Sequence, residues 1–90
     1  MKIVYQQDQL SVGVMFKPHW EKHAHVMHGG HELLISLHNP RLLSGDAPRE
    51  VVDLAMDSVR EHRKTLDREW TRADRHVSGG HRGAPLPGFG

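Results

Sequence analysis

Ninety residues make one domain with a thin core, not two domains. The chain has no cysteine, which excludes disulfides and thiolate metal sites and leaves histidine as the residue for any metal staple. A formal net charge of +1 gives no global electrostatic case for nucleic acid or a membrane surface, so any such contact must come from a local patch. No apolar run approaches the roughly 20 residues needed to cross a bilayer, and residues 1–8 turn polar too early for a signal peptide. The expectation is a cytoplasmic protein with no membrane partner.

Residues 2–5 and 11–17 read as strands, with Val12, Val14 and Phe16 alternating onto one face and Asp8-Gln9 at the turn between them. Pro18 ends the second run. Residues 23–28 and 31–37 flank Gly29-Gly30, a pair with the positive-φ tolerance that a two-residue hairpin turn requires. That turn sets a register. Val26 faces Leu33 and Ala24 faces Ile35 on the core side, while His25 faces Leu34, His23 faces Ser36 and Met27 faces Glu32 on the other. A helix covers so mixed a face poorly, so His23 and His25 are expected to be exposed and to point away from the core.

Asn39-Pro40 breaks the strand, residues 41–44 can return as a short edge strand, and Gly45-Asp46-Ala47-Pro48 announces a helix with Asp46 as its cap. Nothing in residues 48–75 breaks a helix, and Val52, Ala55, Met56, Val59, Leu66, Trp70 and Ala73 recur at three- and four-residue spacing as one apolar stripe. His62 falls inside the stripe and reads as a half-buried, hydrogen-bonded histidine. Residues 77–90 hold five glycines and two prolines with little apolar surface and are expected to be a disordered tail. The predicted fold is α+β: one domain over residues 1–76, with an antiparallel sheet of three to four strands packed against one long C-terminal helix.

Histidine is the compositional outlier, with nine in the chain and six of them between His19 and His38. His23 and His25, at i and i+2 of a strand, start about 6.5–7 Å apart at their Cα atoms, and His19 lies four residues upstream in a loop. Three imidazoles so placed can hold zinc or another divalent metal with water in an open position. They can also work without metal as base, acid or phosphate contact, because an unperturbed pKa of about 6.5 leaves both forms available near neutrality. The alternative is a solvated outer sheet face. His28 and His31, either side of the turn, read as hairpin-tip residues. Trp20 beside Lys22 can stack on a base or plug the core. On the helix, Asp53, Asp57 and Glu61 come first, and Arg60, Lys64, Arg68 and Arg72 follow. The helix macrodipole accounts for that order, and a basic ridge for nucleic acid or an acidic partner, extended by Arg75 and Arg82, is the functional alternative.

From about Val12 to Trp70 the chain resembles the small bacterial proteins of domain-of-unknown-function family 4160. That family carries a histidine, a proline-rich step, then His-aromatic-His and a glycine, matched here by His19, His23-Ala24-His25 and Gly29-Gly30. Its glycine, its proline at a helix start, and its helix ending in leucine and tryptophan correspond to Gly45, Pro48, Leu66 and Trp70. Trp20-Glu21-Lys22 stands in place of the prolines, and Ala24 in place of the aromatic. The resemblance implies a stand-alone protein encoded beside a small cognate protein partner in a toxin-antitoxin-like pair. The functional expectation is therefore a toxin-like component acting on RNA or another nucleic acid, with His23 and His25 as acid-base or phosphate-contacting groups and His19 assisting. Two other classes compete with it. One is a non-catalytic inhibitor from a phage or mobile element that docks on a larger nucleic-acid machine, and the other is a histidine metal-binding module.

Overall fold

A computed structural model describes the backbone of residues 1–83 and the side chains of residues 1–75. Five strands, β1 (Lys2–Gln7), β2 (Leu10–Val14), β3 (His23–His28), β4 (His31–Ser36) and β5 (Leu42–Ser44), precede two helices, α1 (Arg49–Glu61) and α2 (Arg63–Gly83). The strands form one antiparallel sheet in chain order, β1-β2-β3-β4-β5. The α+β class is as expected, with five strands where three to four were predicted and two helices where one was.

The β3–β4 hairpin has the predicted register, from His23 opposite Ser36 to Met27 opposite Glu32. Gly29 (φ 52°) and Gly30 (φ 88°) supply its turn in a conformation that side chains with a Cβ seldom adopt. β2 ends at Val14, short of the predicted residue 17, and residues 15–22 leave the sheet as a loop.

One sheet face carries Val12, Val14, Ala24, Val26, Leu33 and Ile35, and with Leu37 these close a core against Ala55, Val59, Leu66 and Trp70 of the helices. Each fully buried aliphatic side chain there contributes roughly 1.5–3 kcal/mol relative to exposure. α1 packs on β3 and β4, and α2 packs on β1 and β2. The apolar stripe thus covers the predicted face, but from two helices rather than one.

The division is at His62, where the predicted continuous helix is interrupted by a residue with φ −106° and ψ 17°. Its ring donates from Nδ1 to the Ser58 carbonyl at 2.9 Å and stacks on Tyr5 of β1, with centroids 4.4 Å apart. The ring thereby shares a carbonyl with the helix's own hydrogen bonds while being held by the sheet, and the two helices follow different strands. His62 is the half-buried, bonded histidine the stripe suggested. Asp46 is not the cap. Pro48 occupies that position without a side-chain hydrogen bond, and its carbonyl accepts from Val51 and Val52. Gly45 (φ 107°) turns the chain into α1 so close to β4 that a Cβ would run into the Glu32 carbonyl.

α2 is helical through Gly83, into the stretch predicted to be a disordered tail, and the rest of that tail, residues 84–90, lies outside the described residues. Among the described residues, no helix is long and apolar enough to cross a membrane.

Candidate functional site

β3 sends Ala24 and Val26 into the core and, by alternation, His23, His25 and Met27 to the opposite face. The predicted exposure of the two histidines is overturned: His23 is 0% and His25 6% exposed. The cover comes from elsewhere in the chain. Trp20, in the loop after β2, lies 5.6 Å from the His23 ring, and Trp70 of α2 meets that ring edge-on at 4.9 Å while also contacting Phe16 at 5.2 Å. His23 and His25 themselves lie 5.2 Å apart, centroid to centroid.

Both rings are fixed through Nδ1. His23 Nδ1 lies 2.8 Å from the Glu21 carbonyl and His25 Nδ1 lies 3.2 Å from Glu32 Oε2, and since these oxygens only accept, both Nδ1 atoms are assigned as donors. The Nε2 atoms are then left with bare lone pairs, and both are buried without a hydrogen-bond partner. Burial holds the His23 imidazole below its ordinary pKa of 6.5, partly offset by the Glu21 carbonyl and reinforced by His25 and Lys17.

A polar network secures this arrangement. The buried Ser36, opposite His23 in the register, donates to Glu21 Oε2 and accepts from the His38 amide at 3.2 Å, while Arg41 pairs with Glu21 Oε1 at 2.9 Å. Glu21, Glu32, Ser36 and Arg41 were not among the predicted site residues. The hairpin register held the signal for Ser36 and Glu32, since it sets them opposite and diagonal to the two histidines.

The other predicted residues separate into distinct places. His19 sits in the loop in a left-handed conformation (φ 71°), exposed, and no hydrogen bond or ring contact joins it to His23 or His25. Among the described residues, no three His, Cys, Asp or Glu side chains gather to hold a metal ion, so the predicted three-histidine cluster is not assembled. His28 and His31 pair across the turn, half-buried, as hairpin-tip residues. Trp20 is no core plug: it is 52% exposed, with Lys17 Nζ 4.9 Å from its ring centroid. Lys22 pairs with Asp67 of α2 at 2.9 Å.

Arg60 belongs to α1, where it pairs with Asp57 at 3.2 Å, while the other cations predicted for the ridge lie on α2. Lys64, Arg68, Arg72 and Arg75 share the outer side of α2, and Arg68, Thr71, Arg72 and Arg75 line a shallow concavity. A second depression, lined by Lys22, Leu37, His38, Arg63, Lys64 and Asp67, continues this basic surface toward the loop. Arg72 pairs with Glu69 at 3.4 Å, whereas Lys64, Arg68 and Arg75 have no ion-pair partner among the described residues.

Chemically, the two regions differ. The buried pair offers nitrogen lone pairs that bulk water does not reach. The α2 surface offers exposed cations at helical spacing, suited to a chain of phosphates.

No curated protein and no solved structure matches this chain. The family described as Domain of unknown function (DUF4160) matches over residues 14–71, a span that takes in the residue 15–22 loop, β3 to β5, α1 and α2 as far as Thr71. With His23, His25 and the covering Trp70 all inside that span, the chain belongs to the family Domain of unknown function (DUF4160).

Proposed function

We propose that this protein binds nucleic acid along the outer side of α2, as the toxin-like member of a pair with a small cognate protein. The observation that carries the reading is the set of exposed cations Lys64, Arg68 and Arg75, free of ion-pair partners among the described residues and joined by Arg72 on one side of one helix. From Lys64 to Arg75 is about 16 Å at 1.5 Å per residue, enough to follow several phosphates of one strand. Neighbouring acids are already engaged, Asp67 by Lys22 and Glu69 by Arg72.

Acid-base catalysis by His23 and His25 is not part of this reading, because a proton donor or acceptor has to come within hydrogen-bond reach of its substrate and both Nε2 atoms are buried. For the protein partner the reading favours the outer sheet face, where Ile3 and Met27 are each 40% exposed. Exposed apolar side chains suit a protein contact better than a phosphate chain.

Binding of a labelled single-stranded RNA and of a DNA duplex, followed by fluorescence anisotropy at several salt concentrations, tests the proposal. Four phosphate contacts give a log-log salt slope of about −3 to −4. The double variant Lys64→Glu, Arg68→Glu should weaken binding at least about tenfold at low salt and flatten that slope by about 2. An unchanged affinity in this variant would remove α2 as the interface. Growth during expression, with and without the product of the neighbouring gene, tests the toxin-like role.

A further inference from the structure

Buried ring nitrogens without a partner are rare in folded proteins and point to an ion or an ordered water. Here two occur on adjacent rings of one strand face, His23 Nε2 and His25 Nε2. Each ring gives its Nδ1 proton to an oxygen, a backbone carbonyl for His23 and a carboxylate for His25. That is the arrangement that fixes tautomer and orientation in metal-binding imidazoles and leaves the other nitrogen free to coordinate. The spacing agrees. Two imidazoles bound through Nε2 to one tetrahedral ion, with metal–nitrogen bonds of about 2.0–2.1 Å, hold their ring centroids about 5 Å apart. The observed separation is 5.2 Å.

We propose that His23 and His25 bind one borderline divalent cation of the zinc class through their two Nε2 atoms, with water or a donor from another molecule completing its shell. Nitrogen donors favour zinc-class ions over magnesium or calcium, which prefer oxygen. One cation satisfies both unpartnered nitrogens at once. Trp20 of the residue 15–22 loop, 52% exposed, lies 5.6 Å from the His23 ring. The site has two protein ligands, because no third His, Cys, Asp or Glu converges on it among the described residues. It is independent of the α2 ridge and does not need nucleic acid.

The test uses the full chain, stripped of metal and titrated with zinc chloride alone near neutral pH. Long-range nitrogen–proton NMR resolves the individual imidazole nitrogens. Saturable binding should move the Nε2 resonances of His23 and His25 together and leave their Nδ1 protons in place. Removing either histidine empties a buried position and can unfold the chain, so the informative variant is Glu32→Gln, at a carboxylate that is 61% exposed. It should weaken zinc binding about tenfold, the usual cost of losing a group that orients a ligand, while the metal-free chain still unfolds in one cooperative transition. Zinc that shifts only His19, His28, His31 or His38, or the absence of saturation below about 100 μM, would overturn the site.

Discussion

His23 is the residue on which the molecule depends most unusually, an imidazole wholly removed from solvent and enclosed by two indoles and a second imidazole. Its buried state should be visible in acid. Burial lowers its pKa below 6.5, so the unfolded chain takes up this proton at higher pH than the folded one does. The contribution to stability is therefore complete above about pH 6.5 and is lost as pH falls toward the folded value. Urea midpoints should fall from about pH 7 to about pH 5 in the native chain and fall less in His23→Phe, which keeps a ring but cannot titrate. Equal pH dependence in the two proteins would show that His23 is not the group responsible. The strand pattern could not reveal this burial. Period-two alternation reports which face a residue joins, and the cover over His23 comes from Trp20 in a loop and from Trp70 on α2, far along the chain.

At the level of elements, the hairpin was the most legible part of the sequence and the helix break the least. Gly29-Gly30 admits few turn geometries, and once the turn is set every pair from His23–Ser36 to His28–His31 follows. His62, by contrast, keeps its place in the apolar stripe, and its stacking on the Tyr5 ring of β1, where the helix is interrupted, has no signal in the helical spacing. α2 brings Leu66 and Trp70 onto the β1–β2 side of the core, while α1 keeps Ala55 and Val59 over β3 and β4. Trp70 then fills the corner between Phe16 and His23. Trp70→Ala should cost about 3–5 kcal/mol in chemical denaturation, the range for emptying a buried aromatic position. A loss under about 1 kcal/mol would place Trp70 outside the core. The basic ridge was partly legible, since helical spacing groups Lys64, Arg68 and Arg72, with Arg60 on α1 before the interruption at His62.

For the whole molecule, a net charge of +1 conceals a division. α1 carries Glu50, Asp53, Asp57 and Glu61 against Arg49 and Arg60, and the first part of α2 carries Arg63, Lys64, Arg68, Arg72 and Arg75 against Asp67, Glu69 and Asp74. Composition sums the two and sees neither, which is why the candidate interface emerges only once each helix is placed. The sheet has a consequence of another kind. Because its strands lie side by side in the order in which they occur along the chain, every pairing closes only the connection just before it, and no strand waits for a distant one. Closing short connections costs little chain entropy, so pairing can spread strand by strand from the glycine turn. Refolding by stopped-flow dilution from urea should proceed as one main phase in the millisecond range, early in the span seen for sheet proteins. A dominant phase lasting seconds would show that local strand pairing does not set the pace.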